Sequence, residues 1–257
     1  MSRILVTGSA DGLGKMAAQL LVRQGHRVVL HARNAKRTKE ALAAVPGAET
    51  AVTGDLSSIS ETRSVAEQAN RLGRFDAVIH NAAVGDRERK LIETRDGLPH
   101  VFATNTLAPY ILSALIERPK RLIYVSSELH RDGDTSLNDM LWQKRKWQAS
   151  DAYAETKFHD VLLAFAVARL WPNVLSNSLE PGWVPTKMGG PEAPDDLQEG
   201  YITQAWLAVS DDPDALVSGE YFYHQKRTAP SAATRVKASQ ERLLSECEKI
   251  SGIRLAQ

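Results

Sequence analysis

The stretch TGSADGLG, residues 7–14, decides the fold because it joins a short apolar segment to a segment with helical periodicity. Residues 3–7 read as a buried strand, and residues 12–24 carry apolar side chains at helical spacing. The three glycines would permit a tight turn and a close approach of backbone N–H groups to a pyrophosphate at the helix N-terminus. The spacing is Gly-x-x-x-Gly-x-Gly rather than Gly-x-Gly-x-x-Gly, and the alternative is that Gly8 and Gly14 serve only turning and packing. The stretch therefore predicts a phosphate-binding first turn.

The rest of the chain alternates short β-branched runs with longer helix-period stretches. This alternation predicts an α/β fold, a single domain over residues 1–257 with a doubly wound parallel sheet of about seven strands and helices on both faces. The least regular stretches, an insert at about 128–150 and a loop at about 182–198, are expected to shape a substrate site. The predicted strands are 3–7, 27–31, 49–53, 76–80, 121–126, 173–179 and 221–223, and the predicted helices are 12–24, 35–45, 58–72, 98–116 and 151–171.

Composition restricts the possible functions. The chain has 257 residues, a formal net charge of +1 and 43% apolar residues, so no global field favours nucleic acid or an anionic membrane. Cys247 is the single cysteine, which excludes an intramolecular disulfide and a cysteine zinc cluster and fits a reducing compartment. No metal site is predicted. No apolar run approaches about 20 residues, and the first strand starts at Arg3, so we expect a cytoplasmic protein without a signal peptide or membrane span.

A second motif, Ala-Tyr-Ala-Glu-Thr-Lys, places Tyr153 and Lys157 four residues apart. On a helix these positions share one face, so a phenol and an ammonium would lie side by side. The cation favours the phenolate and is expected to lower the phenol pKa from its ordinary value of about 10, toward the range useful to a general acid or base. Chance produces this spacing often, so its meaning depends on the other motifs.

Together the motifs resemble the short-chain dehydrogenase/reductases, single-domain Rossmann-type oxidoreductases that use NAD or NADP. The resemblance spans about residues 3–224. The glycine stretch matches the family's Thr-Gly-x-x-x-Gly-x-Gly, Asn81-Ala82-Ala83 is similar to its Asn-Asn-Ala-Gly element, and residues 181–186 are similar to its Pro-Gly-x-x-x-Thr segment. His80 replaces the first asparagine of that element and Ala83 its glycine.

The resemblance implies a catalytic tetrad of Asn105, Ser127, Tyr153 and Lys157. Ser127 would bond the substrate oxygen and Tyr153 would give or take the proton. Lys157 would lower the Tyr153 pKa and bond the nicotinamide ribose, and Asn105 would position a water that links Lys157 to solvent. Asp55 resembles the family's aspartate near the adenine ring. The cofactor contacts that the resemblance implies are Gly8, Ser9, Asp11, Gly12, Leu13, Gly14, Arg33, Asp55, Leu56, Asn81, Ala82, Ala83, Tyr153, Lys157, Pro181, Gly182, Val184 and Thr186.

The end of the second predicted strand bears on the choice of cofactor. An acidic residue there would bond both ribose hydroxyls of NAD, whereas an arginine would accept the 2′-phosphate of NADP. Ala32 occupies the usual acidic position, Arg33 follows it, and Arg37 lies one turn into the next helix. The pattern favours NADP(H), with NAD(H) as the alternative if Arg33 is simply a solvent-exposed loop residue. Asp11 argues mildly against NADP(H), because NADP-preferring relatives often carry a basic residue in the glycine stretch.

The gap between Ser127 and Tyr153 is about twice that of many family members. With Ser-Ser-x-x-His at its start, the gap resembles the retinol dehydrogenase and WW-domain oxidoreductase branch, whose members act on bulky lipophilic carbonyls and alcohols. His130 would contact substrate or else cap the insert. The apolar residues that would either line a pocket or pack in the core or an interface are Trp142, Trp147, Trp183 and Met188.

The sequence therefore predicts an NADP(H)-dependent alcohol dehydrogenase or carbonyl reductase. It would act on a small-molecule carbonyl or alcohol, as a monomer or a homodimer, without nucleic-acid or membrane partners. One alternative is a non-catalytic NADP-binding regulatory protein of the same fold, which usually lacks the tyrosine or the lysine. Another is an epimerase or dehydratase acting on nucleotide sugars, whose chains are typically longer.

Overall fold

The computed structural model describes residues 1–256, which form an eight-stranded sheet with helices on both faces. The sheet order is β3-β2-β1-β4-β5-β6-β7-β8, and neighbouring strands are parallel except β8, which is antiparallel to β7. The predicted doubly wound fold is confirmed, and β8 is an addition too short to have a sequence signal. The strands are β1 (Arg3–Val6), β2 (Arg27–Ala32), β3 (Thr50–Thr53), β4 (Ala77–His80), β5 (Arg121–Val125), β6 (Leu175–Glu180), β7 (Tyr221–Tyr223) and β8 (Lys226–Arg227).

The helices follow the predicted alternation with the strands. The fourth helix, α4, has three consecutive parts: His100–Phe102, a π-helical turn at Ala103–Leu107, and Ala108–Leu115. None of the helices in residues 1–256 is both long enough and apolar enough to cross a membrane. The other helices are α1 (Gly12–Arg23), α2 (Ala35–Ala44), α3 (Ile59–Arg71), α5 (Ala149–Leu170), α6 (Glu199–Val209) and α7 (Lys237–Ser251).

Two apolar layers hold the sheet between its helices. On one face, α1, α2 and α6 bury side chains such as Leu21 and Leu207 against the strands. On the other face, α3, α4, α5 and α7 bury a larger cluster that includes Tyr110 and Phe158. Helix α5 is buried on nearly its whole circumference, as is typical of a helix that crosses the core. Its position is therefore fixed by packing on several sides, which matters because it carries both residues of the tyrosine–lysine motif.

Candidate active site

The carboxyl ends of β1 to β6 meet at one edge of the sheet, where a cleft of about 610 Å³ opens. Open α/β sheets bind ligands past the carboxyl ends of their strands, and clefts of this size hold cofactors and small ligands. No group of His, Cys, Asp or Glu side chains in residues 1–256 is arranged to hold a metal ion. The predicted site residues that line the cleft are Gly8, Asp11, Gly12, Leu13, Arg33, Asp55, Leu56, Asn81, Ala82, Ala83, Tyr153, Lys157, Pro181 and Thr186.

The glycine stretch forms one wall of the cleft. Gly8 has a φ of +63°, and a Cβ atom there would lie 2.7 Å from the Cα of Ala82, so no side chain fits between the two turns. A Cβ atom at Gly14 would overlap the Asn81 amide. A Cβ atom at Gly12 would meet nothing within 4 Å. The Asp11 carboxylate caps α1 by accepting a hydrogen bond from the Gly12 N–H at 2.9 Å. The first and third glycines therefore serve close packing, while the second adjoins open space at the N-terminus of α1.

His31, near the end of β2, connects two turns of the cleft wall. Its Nδ1 accepts a hydrogen bond from the Gly8 N–H at 3.0 Å, and its Nε2 lies 2.9 Å from the carbonyl oxygen of Gly54. This arrangement requires a neutral ring with the proton on Nε2, and burial lowers the His31 pKa accordingly. The His31 N–H in turn donates to the Ser9 hydroxyl at 2.9 Å, which fixes Ser9 in the interior rather than in the cleft.

Two arginines lie at the β2 end of the cleft. Arg33 is exposed, and among residues 1–256 its guanidinium makes no hydrogen bond or ion pair. Arg37 pairs with Glu40 at 2.6 Å and lies 3.5 Å from Asp11. The Asp55 carboxylate, which also lines the cleft, accepts the Ser57 N–H at 2.9 Å; burial acts to raise the pKa of Asp55, but the hydrogen bonds from Ser57 hold it below its ordinary value. The cleft thus offers an uncommitted cation at one end.

Tyr153 and Lys157 lie on α5 at the other end of the cleft, as the helical spacing requires. The Lys157 Nζ lies 5.6 Å from the centre of the Tyr153 ring and donates hydrogen bonds to the Val125 carbonyl at 2.8 Å and to the Asp160 carboxylate at 2.9 Å. The Tyr153 pKa is raised rather than lowered, because burial outweighs the attraction of Lys157 and the Asp160 carboxylate opposes that attraction. The expected lowering by Lys157 exists, but it is not the dominant effect in this structure.

Asn105 and Ser127 approach the pair without lining the cleft. Asn105 lies in the π-helical turn of α4. Its amide oxygen accepts the Val84 N–H at 2.8 Å, and its amide nitrogen donates to the Val84 carbonyl at 2.9 Å and to the Thr156 hydroxyl at 3.0 Å. The Ser127 hydroxyl accepts the Leu129 N–H at 3.3 Å and so caps a 3-10 turn, Glu128–Arg131. It also lies close enough to Tyr153 to lower the phenol pKa. Asn105 therefore links the segment after β4 to the helix turn that follows Tyr153, and Ser127 lies beside the phenol.

The 182–198 loop crosses the cleft and contacts both of its ends. Lys187 forms an ion pair with Asp11 of the glycine stretch. The next residue, Met188, places its sulfur 4.0 Å from the Tyr153 hydroxyl, and its carbonyl accepts a hydrogen bond from Arg87 at 3.0 Å. Of the four large apolar residues singled out from the sequence, Met188 lines the cleft, and Trp183 is 57% exposed on the outside of the loop. The loop therefore lies over the tyrosine–lysine pair.

The 128–150 insert packs against α5 through Arg145 and through Trp142, which shares an apolar cluster with Ala152. Arg145 donates to both carboxylate oxygens of Glu155 at 2.7 and 3.0 Å, approaches Asp139 at 3.4 Å, and stacks 4.1 Å above the Trp142 ring. Trp147 lies edge-on to Trp142 at 5.2 Å between ring centres, so these two tryptophans pack in the insert rather than line the cleft. The insert is thus an ordered segment that is held by an ion pair against the helix turn that follows Tyr153.

The sequence left open whether His130 contacts substrate or caps the insert, and the structure shows it bonded to the backbone of two segments. It is fully buried, with Nδ1 2.8 Å from the Ser127 carbonyl, and Nε2 accepts the Ser231 N–H at 3.0 Å. Burial lowers its pKa to about 4, so the ring is neutral. His130 therefore ties the start of the insert to the segment after β8.

The remaining residues divide into two sets. Six predicted site residues lie beside the cleft but outside its lining: Ser9, Gly14, Asn105, Ser127, Gly182 and Val184. The other lining residues were not predicted as contacts, although Ala10, Ala32 and Ser126 lie within the quoted motifs and Arg37 and Met188 had been noted from charge and hydrophobicity. These lining residues are Ala10, His31, Ala32, Arg37, Val84, His100, Thr104, Val125, Ser126, Lys187 and Met188.

The fold and the cleft define a Rossmann-type dinucleotide-binding protein, and comparison with known proteins gives the family. A family model described as short chain dehydrogenase matches residues 2–128. The uncharacterized oxidoreductase AN7799 of Emericella nidulans is 47% identical, over 98% of this chain and 98% of its own length. Short-chain dehydrogenase chry4 of Gibberella zeae is 41% identical over 99% of each chain. The protein belongs to the short-chain dehydrogenase family of oxidoreductases.

More distant similarities agree with this assignment. Human retinol dehydrogenase 14 is 30% identical over 72% of this chain and 62% of its own length, which confirms the predicted likeness to the retinol dehydrogenase branch. A crystal structure of an uncharacterized protein from Mycobacterium Paratuberculosis matches with a TM-score of 0.86 and 21% identity over 100% of this chain and 96% of that one. A blue fluorescent protein from a metagenomic library, in complex with NADPH, matches with a TM-score of 0.69 and 19% identity over 86% and 95%. These two structures share the fold.

Proposed function

We propose that the protein is an NADP(H)-dependent oxidoreductase that interconverts a ketone or aldehyde and the corresponding alcohol, with Tyr153 as general acid and base. The observation that carries this proposal is that Tyr153 and Lys157 line the same cleft as the glycine stretch and Arg33. A protein that only senses a nucleotide would need the glycine stretch and the arginine but would have no use for a phenol beside an ammonium. Turnover separates the two possibilities.

The cleft wall fits a nicotinamide dinucleotide. Gly12 leaves open space at the N-terminus of α1, where backbone N–H groups would bind the pyrophosphate. The Thr104 hydroxyl lines the cleft, is buried and has no hydrogen-bond partner among the described residues, as expected of a group that a ligand would satisfy. Arg33 would bind the 2′-phosphate of NADP(H), and Asp55 and Leu56 would border the adenine. When bound, the cofactor supplies or accepts the hydride.

The chain's own residues would handle the proton and the substrate oxygen. In the direction of reduction, Tyr153 would donate its proton to the carbonyl oxygen, and the Ser127 hydroxyl would orient that oxygen. The Met188 sulfur beside the Tyr153 hydroxyl makes this end of the cleft apolar on one side, which supports an apolar or bulky substrate. We propose that the 182–198 loop and the 128–150 insert of this single domain shape the substrate side.

The proposed reaction is tested by measuring NADPH oxidation with ketones, aldehydes and quinones of graded size. Tyr153→Phe removes one hydroxyl and should reduce turnover by roughly 10² to 10⁴, the usual contribution of general acid–base catalysis, while NADPH affinity stays unchanged. Tyr201→Phe, a tyrosine on α6 outside the cleft lining, is the matched control and should keep full turnover. Wild-type turnover by Tyr153→Phe would refute the assignment.

The cofactor preference is tested by replacing the uncommitted cation. Arg33→Ala removes a charged hydrogen-bond donor worth roughly 1.5 to 3 kcal/mol, so the Kd for NADPH should rise about tenfold or more while the Kd for NADH changes little. Lys36→Ala, an exposed cation of the same segment that does not line the cleft, should leave both constants unchanged. Tighter binding of NADH than of NADPH by the wild-type protein would overturn the preference. NADPH binding without turnover across the panel would favour a regulatory protein.

A further inference from the structure

Asp160 is a buried carboxylate directly behind the tyrosine–lysine pair. It lies three residues after Lys157 on α5, and its Oδ2 accepts a hydrogen bond from the Lys157 Nζ at 2.9 Å. The two side chains are only 3% and 4% exposed. A carboxylate is rarely buried without a charged partner, because the loss of hydration is costly. The burial of Asp160 is therefore tied to the presence of Lys157.

Asp160 restricts the direction of the lysine side chain. The Lys157 ammonium has three N–H donors, and two of them are used by the Val125 carbonyl and the Asp160 carboxylate. Lys157 also lines the cleft, which leaves the third donor for a ligand. The backbone of this turn is fixed as well, because the Ser126 hydroxyl donates to the Lys157 carbonyl at 2.7 Å. The flexible lysine is thus held in one orientation by two acceptors behind it.

The carboxylate also changes the electrostatics of Tyr153. Burial acts to lower the pKa of Lys157, and the negative charge of Asp160 counters this, so that the ammonium stays charged. The same negative charge raises the Tyr153 pKa, opposite to the effect of Lys157. Asp160 therefore keeps the lysine charged and at the same time weakens its effect on the phenol.

The titratable rings around this pair do not supply a competing charge. Tyr124 of β5, the strand packed against Asp160, is held neutral because burial raises its pKa. His80 of β4 stacks on Tyr124, and burial lowers its pKa to about 3. His159 of α5 faces Thr106 of α4 at 3.1 Å and is neutral for the same reason, with a pKa of about 3. Asp86 also raises the Tyr153 pKa, but its effect is smaller than that of Asp160.

We infer that Asp160 is a positioning residue that orients Lys157 and, as a buried negative charge behind the pair, opposes ionisation of Tyr153. This inference rests on the proposed function for its catalytic meaning. The titration of Tyr153 can nevertheless be measured without turnover.

The test is the titration of Tyr153 in the whole protein, followed by phenolate absorbance immediately after a stopped-flow pH jump, before unfolding. Subtracting the curve of Tyr153→Phe isolates this tyrosine from the other five of the six in the chain. Asp160→Asn keeps the shape and removes the negative charge that opposes the phenolate. The amide oxygen of the new side chain and the Val125 carbonyl would still accept hydrogen bonds from the Lys157 ammonium, so the Tyr153 midpoint should fall by about one pH unit or more. If the proposed function also holds, the pH profile of NADPH-dependent turnover should move in the same direction.

Two further variants distinguish charge from packing. Asp160→Glu retains the charge and should restore the wild-type midpoint, whereas an equal shift in both variants would overturn the inference. Glu155→Gln removes a different buried, ion-paired carboxylate from the same helix and should leave the midpoint unmoved. If Asp160→Asn does not fold, the same Tyr153 titration is made with Asp160→Ser, which also removes the charge. An unchanged Tyr153 midpoint in whichever of these variants folds refutes the inference. If the Tyr153 midpoint shifts as expected but no carbonyl compound is turned over, the proposed function is rejected and the inference about Asp160 stands.

Discussion

Replacing Arg145 by methionine should destabilise the protein by about 2 kcal/mol, because it leaves a buried carboxylate without its partner. The guanidinium donates to both oxygens of Glu155, whose side chain is only 4% exposed. Asp139, the second carboxylate, also accepts backbone N–H groups of residues 143 to 145 and so keeps partners of its own. The loss therefore falls mainly on Glu155.

The magnitude follows from the burial of the two partners. Removing one member of a fully buried ion pair costs roughly 3 to 5 kcal/mol. Arg145 is 34% exposed, so water already screens part of its interaction, and the expected loss is reduced to about 2 kcal/mol. For a chain of this length, such a loss lowers the Tm by about 4 to 8 °C.

The assay is urea unfolding of wild type and variants at two pH values. Burial already raises the pKa of Glu155, and removing Arg145 raises it further. A carboxyl whose folded pKa lies above its unfolded value destabilises the fold increasingly as the pH rises from the unfolded pKa to the folded one. The loss of unfolding free energy caused by Arg145→Met should therefore be smaller at pH 5 than at pH 7. Adding Glu155→Gln to that variant should recover most of the lost free energy.

Lys120→Met provides the control for this comparison. Lys120 pairs with Asp76 at 2.8 Å, but it is 70% exposed, so the loss should be below about 1 kcal/mol. A loss for Arg145→Met no larger than that of Lys120→Met, or one that does not change with pH, would refute the reasoning.

Two further predictions concern the glycine stretch and a buried histidine. Gly8→Ala places a Cβ atom 2.7 Å from the backbone of Ala82 at a φ of +63°, so a fluorescence titration should show NADPH binding weakened more than tenfold. Gly25→Ala is the control, because Gly25 has a φ of +81° but no atom within 4 Å of the added Cβ. It should cost about 1 kcal/mol of stability and leave the NADPH affinity unchanged. Burial lowers the His130 pKa to about 4, so the stability it contributes is present above its unfolded pKa of about 6.5 and is lost as the pH falls toward 4. His130→Gln should flatten the fall of the unfolding free energy over that range, and an unchanged slope would contradict the buried neutral ring.

The fold was predictable because its signals are local. The glycine stretch and the alternation of strands with helices each depend on residues close in the chain, and the observed strands β1 to β7 fall where the patterns indicate. The structure also brings Tyr153 and Lys157 into one cleft with most residues of the glycine stretch, because that stretch follows the end of β1 and Lys157 bonds the Val125 carbonyl at the end of β5. Their catalytic and cofactor-binding roles stay predictions.

What could not be predicted depends on burial and on contacts between distant segments. The pKa of Tyr153 was expected to fall beside Lys157, but spacing alone does not show how deeply the phenol is buried. Nor does it show that the Met188 sulfur would lie beside that phenol, 35 residues along the chain. Trp142 could equally have faced a substrate until the stacking of Arg145 placed it in the insert.

The short last strand has a consequence for self-association. In β7, Tyr221 and Phe222 are fully buried, and without a neighbour this strand would offer an open backbone edge to a second chain. The edge is instead covered by β8, which has two exposed cationic residues, Lys226 and Arg227. A strand of two residues offers little backbone for further pairing, and two copies meeting edge to edge would bring their Lys226 ammonium groups together. At this side of the sheet, two residues oppose the growth of intermolecular β-aggregates.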